Sequence, residues 1–469
     1  MAGWGARGWG RGLAAGAAAC TACALFLAPV RADTLEGALV QAYQNNPTLN
    51  AQRASVRATD EGVPQAVAGY RPRVTWQFDS GYQHFESNTL SASGTFLKTN
   101  TNISPRGGNV GLVQTLYNGQ RTGNLTRQAE STVLAGRETL RNTVQTVLLD
   151  AATAYMNVLR DTAILDLQRR NVQVLQEQLK QTRDRFNVGE VTRTDVAQSE
   201  SRVAAAQSQV LSAEANLKAS QAAYRRIIGV EPIGLRAAMP VDRLSPQSLE
   251  AAISQGIGVH PTVTAAQYTV DTALYAVKAA EGTLYPTVTA EANVQKRWDL
   301  APGTMDQVTG TVLGRVSVPI YQGGAEYSVI RQAKETLGQR RIELDVQRDT
   351  VRASVVQGWA TLQATKAQII AAQAQVTATE VALNGVREEA RVGQRTTLDV
   401  LNAQQELVNA RVSLVTAQRD RVVASFTLLA AVGRLGPQVL SLKTEDYDPR
   451  VHYHQVRDKW FGVRIPDGR

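Results

Sequence analysis

Few residues of this sequence have the types and spacing that chemistry requires. His452 and His454 lie two positions apart near the C-terminus, but no further ligands at zinc-site spacing accompany them. The glycine pair Gly323-Gly324 is not followed by the Gly-Lys-Ser/Thr that completes a phosphate-binding loop. The sequence shows neither a catalytic pair of carboxylates nor a Ser-His constellation. We therefore expect no catalytic residue, no metal and no cofactor, and we do not expect an enzyme.

Two aspartates occupy matching positions at the start of two helical segments. Thr192 with Asp195, and Thr396 with Asp399, have the spacing of a capping box with Asp in place of the usual Glu. A carboxylate in the first turn of a helix interacts favourably with the helix dipole, by about 0.3 to 1 kcal/mol. Helix capping is therefore an alternative explanation for both aspartates, in place of a role in binding or selectivity.

Charge and cysteine content exclude several classes of protein. The 469 residues carry a formal net charge of +9, but the basic residues are spread along the chain without an aromatic pattern, which disfavours nucleic-acid binding. Residues 1–32 are predicted to be a secretory signal peptide, with basic residues, an apolar stretch and a small-residue cleavage site. Both cysteines, Cys20 and Cys23, leave with it, which excludes a disulfide framework and a cysteine nucleophile. Lipidation at Cys20 is the less favoured alternative, because Ala17 stands where lipoprotein signals usually carry Leu.

The rest of the chain is a tandem duplication. The segment from Leu35 to Pro72 recurs at an offset of 214, and the segment from Tyr117 to Gly229 recurs at an offset of 204. The difference of ten residues lies between Pro72 and Tyr117, where the polar stretch over 86–108 is expected to be an exposed loop. We predict a first repeat over residues 33–248, a second repeat over 249–436 and a C-terminal tail over 437–469.

Long helices dominate each repeat. No proline occurs between Pro105 and Pro232 or between Pro319 and Pro437, and apolar residues recur there every seven positions, a pattern typical of coiled coils. A helix over residues 120–185 would contain 66 residues and would be about 99 Å long.

Each long helix is expected to end at a glycine and to be followed by a return helix, which makes a helical hairpin. The glycines are Gly189 and Gly393, and the return helices should run to about Gly229 and Gly433. One further helix should precede the strands in each repeat, over about 35–69 and 249–283.

Strands with one apolar and one polar face lie between these helices. Strands of about ten residues with this alternation are typical of membrane β-barrels, and no segment after residue 32 is apolar enough for a spanning helix. A soluble sheet packed on the helices is the alternative, but charged residues on the polar faces disfavour it. Four strands cannot close a membrane barrel, which needs at least about eight, so the protein must oligomerise. The apolar positions of the second repeat are Val288, Ala290, Ala292, Val294, Val308, Val312, Val316 and Val318.

Several short motifs mark the joints between these elements. Pro72 and Pro286 lead into strands, Leu116-Tyr117-Asn118-Gly119 and the segment 319–324 follow strands, and Arg391-Val392-Gly393 precedes Asp399-Val400-Leu401 at a hairpin end. On these residues the sequence resembles the TolC family of outer-membrane channel proteins over nearly the whole chain after the signal peptide. The C-terminal Tyr447-Asp448-Pro449 and Trp460-Phe461-Gly462 are similar to the tail of members that serve type I secretion.

The resemblance implies a mainly α-helical fold with a β-barrel portion. In that family three copies form a twelve-stranded barrel in the cell outer membrane and a twelve-helix tunnel in the periplasm. It also implies a periplasmic adaptor (membrane fusion) protein and an inner-membrane transporter of the ABC or RND type as partners, besides outer-membrane lipid. The hairpin tips at Val188, Gly189, Val392 and Gly393 would contact the adaptor.

The resemblance also implies a gate at the periplasmic entrance. Asp399 matches an aspartate that forms a constricting ring in the family, and Asn402 stands where a second aspartate is usual. Arg395 and Asp195 match a pair that links neighbouring hairpins in the closed state. Arg395 has no counterpart in the first repeat, where Val191 occupies the position, and this asymmetry favours a gate role for Asp399 and Arg395 over capping alone.

A tyrosine of the family's gate network is replaced here by Ala390, so a gate in this protein would lack that contact. The sequence predicts a passive exit duct for proteins, by type I secretion, or for small toxic compounds, by efflux. The alternative is a periplasmic coiled-coil scaffold or adaptor without a pore, which would need a soluble β-domain and usually an inner-membrane anchor.

Overall fold

A computed structural model describes residues 34–466, and the predicted signal peptide lies outside them. The helices are α1 (Leu35–Asn45), α2 (Pro47–Asp60), α3 (Gly62–Val67), α4 (Arg121–Asn187), α5 (Arg193–Ile228), α6 (Leu249–Val259), α7 (Pro261–Glu281), α8 (Ala325–Arg391), α9 (Thr397–Ala431) and α10 (Arg450–Val456). The strands are β1 (Arg73–Ser80), β2 (Gln83–Leu90), β3 (Phe96–Ile103), β4 (Arg106–Asn118), β5 (Thr287–Trp298) and β6 (Asp306–Ser317).

Each repeat begins with short helices, so the prediction of one helix over 35–69 and one over 249–283 is wrong. The break falls at Asn46 in the first repeat and at His260 in the second, each directly before a proline. Proline lacks an N–H and clashes with the preceding turn, so it is tolerated only in the first turn of a new helix. Asn46 caps that new helix, because its side-chain oxygen accepts a hydrogen bond from the N–H of Thr48 at 2.9 Å.

Two long helical hairpins follow the strands, as the heptads predict. Helices α4 and α8 are each 67 residues long, or about 100 Å, and α5 and α9 return along them. The heptad residues Val158, Leu165, Val355 and Leu362 are all at most 5 % exposed, because they form the seam between packed helices. Within residues 34–466, no helix combines the length and the apolar character that crossing a membrane requires.

Four strands form one antiparallel sheet in the order β1-β4-β5-β6. Its register places Val74 opposite Leu112, Leu112 opposite Ala292, and Ala292 opposite Val312. Directly paired residues share one face of a sheet, so the alternation seen in single strands becomes one continuous apolar face. Neighbouring rows repeat the pattern, with Trp76, Val110 and Val294 in line.

The opposite face of the sheet is polar and charged. Thr311 lies opposite Asn293 on this face, and Arg315 donates to Glu291 at 2.9 Å. Arg297 also pairs with Asp79 across the sheet. The sheet therefore has one apolar and one polar face, as the sequence predicts.

The segment between β1 and β4 is more ordered than the exposed loop predicted over 86–108. Strands β2 and β3 pair with each other as a separate two-stranded ribbon, closed at its base by a hydrogen bond from Gly81 N to Pro105 O at 2.9 Å. Residues 106–108 belong to β4 and pair with β1. The four predicted strands thus make the sheet, and the extra ten residues of the first repeat belong to this added hairpin.

The largest apolar core lies where α1, α4, α5 and α9 meet the start of the C-terminal tail. Leu39, Leu148, Tyr155, Tyr224 and Phe426 are at most 2 % exposed in this cluster. Burial of side chains this large contributes roughly 1.5 to 3 kcal/mol each. The core fixes the two hairpins to one another about midway along the long helices.

Candidate functional site

The tips of the two hairpins lie one long helix away from the sheet. Gly189 and Gly393 end the long helices with φ angles of +81° and +80°, a conformation that costs glycine little. The preceding valines project outward, with Val188 71 % and Val392 67 % exposed. All four residues predicted to contact an adaptor are therefore at the surface of the protomer.

Asp195 and Asp399 both form complete capping boxes. The Asp399 carboxylate accepts a hydrogen bond from the N–H of Thr396 at 3.0 Å, and the Asp399 N–H donates to the Thr396 hydroxyl at 3.2 Å. Asp195 and Thr192 make the same pair of bonds at 2.9 and 3.3 Å. Capping and a gate role are thus compatible at Asp399, since the same residue remains partly exposed to solvent near the tip.

The capping bonds lower the pKa of both aspartates. At Asp399 the largest cause is the backbone N–H of Thr396, and at Asp195 it is the Thr192 side chain. A lowered pKa in the fold means that the carboxylate's contribution to stability is fully present above the usual value of 3.8. The contribution is lost as the pH falls through the lowered pKa, so both carboxylates are charged at neutral pH.

Arg395 does not meet Asp195 within the protomer. Its guanidinium donates to Glu389 of the same hairpin at 2.8 Å, while Asp195 is occupied by its own cap. The Arg395–Asp195 link stays a prediction for contacts between hairpins of different protomers. Glu389 was not among the predicted site residues, although it lies six positions before Arg395 in the sequence.

Asn402 has a partner that sequence analysis missed. The guanidinium of Arg202 on α5 donates to the Asn402 side-chain oxygen on α9 at 2.7 Å. This bond joins the first hairpin to the second near the tips, and Leu175, Val203 and Leu401 pack together nearby. No sequence signal could have found the pair, because 200 positions separate its two members.

The chemistry available at the tips is electrostatic. Asp399 presents a charged carboxylate and Asn402 a neutral amide; Arg202 brings a cation to Asn402, and Arg395 brings one close to Asp399. Such an arrangement can attract or repel ions and can hold two hairpins together.

Known proteins resemble this chain over nearly its whole length. The family model described as "Outer membrane efflux protein" matches residues 38–230 and 252–434. The outer membrane efflux protein BepC of Brucella suis biovar 1 (strain 1330) is 41 % identical over 438 residues, covering 93 % of both chains. The outer membrane protein TolC of Escherichia coli (strain K12) is 25 % identical over 431 residues, covering 87 % of this chain and 84 % of its own.

A solved structure shares the fold. The CmeC outer membrane channel of Campylobacter jejuni superposes with a TM-score of 0.74 at 14 % identity, covering 90 % of this chain and 89 % of its own. The family model fits both repeats and the identity with BepC extends over nearly the whole chain. The chain therefore belongs to the outer membrane efflux protein family, the TolC-like channels of the outer membrane.

Proposed function

We propose that this protein is a passive exit duct that works as a homotrimer. The observation that carries the proposal is the four-stranded sheet with one continuous apolar face and two free edges, β1 and β6. An exposed edge strand readily pairs with another chain. If β6 of one copy pairs with β1 of the next, three copies close a barrel of twelve strands with its apolar face outward and its charged face inward.

The helices support the same assembly. Each protomer contributes two hairpins, so three copies provide twelve long-hairpin helices that continue the barrel as a tunnel. A duct of about 100 Å can reach toward an inner-membrane transporter, which would supply the energy. The exported material is then protein or small toxic compounds, according to the ABC or RND-type transporter that is recruited.

The exposed tips are the proposed contact with a periplasmic adaptor. Val188 and Val392 are apolar side chains that remain 71 % and 67 % exposed, and the glycines beside them leave the backbone open to approach. Because the two tips are equivalent positions of the repeat, an adaptor with a repeated surface could engage both.

The proposed gate is formed by the first turns of the return helices, directly after the tips in the sequence. In a closed trimer three Asp399 carboxylates would converge and would prefer cations, while Asn402 adds no charge because it is neutral. Arg202 holds Asn402 in place at 2.7 Å, and this bond ties the hairpins of one protomer together. Arg395 would pair with Asp195 of an adjacent protomer when the entrance is shut.

Arg202→Ala should raise the fraction of channels that are open, and with it the mean conductance. Loss of one charged hydrogen bond, taken at the low end of about 1.5 kcal/mol because the site is exposed, shifts a two-state equilibrium about tenfold, so the open fraction seen in planar bilayers should rise by about that factor. Arg183→Ala is the matched control, since Arg183 pairs with Glu200 at 2.6 Å inside a single hairpin. Equal conductance changes in the two variants would show that the Arg202–Asn402 bond does not hold the entrance.

Cell fractionation tests the proposed assembly directly. We expect the protein in the outer-membrane fraction as a trimer that resists a denaturing gel until it is heated. A monomer that survives in detergent without any trimer would contradict the proposed duct.

A further inference from the structure

The C-terminal tail is fastened to α2 and α4. The ring of His452 lies with Nδ1 3.0 Å from Asp60 Oδ2, and the Arg137 guanidinium lies 5.0 Å from the centre of the Tyr453 ring. Arg457 donates to Glu130 at 3.3 Å. These contacts hold α10 in place, so the path of the tail past α10 is defined.

The direction of the tail is toward the sheet. Arg137 and Glu130 are seven residues apart on α4, or about 10 Å, and Glu130 is nearer to Arg121, where α4 leaves the sheet. Beyond α10, Arg71 donates to the carbonyl of Lys459 at 2.7 Å and its guanidinium lies 4.7 Å above the Trp460 ring. Arg71 is two residues before β1, so the tail reaches the rim of the sheet.

At this rim the tail forms a small loop, residues 459–465, which we call the terminal loop. The ammonium of Lys459 donates to the carbonyl of Arg464 and closes the loop at 2.5 Å. Phe461 and Val463 project away from the protein, at 89 % and full exposure, and Trp460 keeps 64 % of its surface exposed although one face of its ring stacks on Arg71. A hydrogen-bonded turn that presents three large apolar groups to solvent is costly unless something covers them.

Other residues at the same end of the sheet share this character. Tyr70 precedes Arg71 and is 55 % exposed, and Tyr285 precedes β5 and is 56 % exposed. Trp and Tyr are the residues that sit at the boundary between lipid and water, where the ring meets acyl chains and the polar atom meets headgroups. The terminal loop therefore lies at the same end of the sheet as these exposed tyrosines, and Arg464 adds a positive charge to the loop.

We propose that the terminal loop is a membrane anchor that inserts Trp460, Phe461 and Val463 into the phospholipid interface of the periplasmic leaflet. Arg464 then meets lipid phosphates, which suits a basic residue flanking apolar ones at a membrane surface. The anchor is not part of the sheet and would add a lipid contact made by the tail. It rests on the membrane position of the sheet, and the experiment tests that position separately.

Spin labels on reconstituted trimers test the anchor. Cys20 and Cys23 lie in the predicted signal peptide, so Phe461→Cys supplies one labelling site in the processed chain. In vesicles of phosphatidylethanolamine and phosphatidylglycerol, the label should be relaxed several-fold more by oxygen, which enters lipid, than by a water-soluble nickel chelate. Val451→Cys on α10 is the aqueous control. Val451 is 55 % exposed and lies before the terminal loop in the sequence, farther from the rim of the sheet.

Two results at Phe461 would contradict the anchor. A label at Phe461 that behaves like the one at Val451 lies in water, and a label shielded from both agents is covered by protein, such as a neighbouring copy. Either result overturns the anchor. Val312→Cys on β6 reports on the sheet: if it is in lipid and Phe461 is not, only the anchor fails, and if Val312 is in water, the membrane position of the sheet fails together with the anchor.

Discussion

Arginine in place of Val312 should lower the free energy of unfolding of the membrane-inserted protein by about 2 to 4 kcal/mol. Val312 lies at the middle of β6, opposite Ala292 on the continuous apolar face, and its side chain is 86 % exposed in the protomer. A charged side chain at this depth would have to leave water for hydrocarbon without a partner. Equilibrium unfolding in phospholipid vesicles, with urea as denaturant, measures the loss.

Two matched variants separate lipid exposure from general disruption of the sheet. Thr311→Arg places the same side chain on the polar face, opposite Asn293, and should cost little stability. Val288→Arg stays on the apolar face but lies at the second residue of β5, near the membrane boundary, where the cost falls to about 0 to 1 kcal/mol. An equal loss at Val312 and Thr311 would rule out a sheet with lipid on one side only.

Removing the Asp399 carboxylate should weaken the preference of the channel for cations. Three such carboxylates in a trimer concentrate multivalent cations at the entrance, so Asp399→Ala should raise the cation concentration needed for half block by roughly tenfold or more. Ion selectivity and block by a trivalent cation, both measured in planar bilayers, check this expectation.

Asp195→Ala is the control for selectivity, because it removes an equivalent helix cap, and with it the proposed partner of Arg395, but no carboxylate of the proposed Asp399 ring. Asp195 makes the same capping box as Asp399, so both variants should lose thermal stability to a similar degree. Only Asp399→Ala should also change selectivity. If both variants conduct like the parent while thermal stability alone falls, Asp399 is a helix cap and has no role in selectivity.

Periodicity in the sequence predicted most of the fold, because a few repeated constraints determine it. Buried heptad residues such as Leu165 and Leu362 can be read from spacing alone, since a helical seam requires an apolar residue every seven positions. The strand alternation likewise predicted the two faces on which Val312 and Thr311 now lie. The prediction of one unbroken helix before the strands is wrong because a helix cannot continue through Pro47 or Pro261, each of which begins a new helix.

The contacts at the hairpin tips could not be predicted in the same way. Capping boxes are local, so Asp195 and Asp399 were placed correctly in them from a spacing of three residues. The bond between Arg202 and Asn402 depends instead on how two hairpins from different repeats lie side by side. Arg395 donates a hydrogen bond to Glu389 within its own hairpin. The order of residues in the sequence does not distinguish Glu389 from a more distant carboxylate as its partner.

Current through purified trimers in a planar bilayer tests the proposed duct most directly. The account predicts discrete conductance steps, one for each inserted set of three chains, with a preference for cations that Asp399→Ala reduces. The contradicting result would be trimers that insert in the bilayer, with labelled Val312 in lipid, but carry no current in the parent, in Arg202→Ala or in Arg395→Ala. Such a protein would occupy the membrane without forming a path through it.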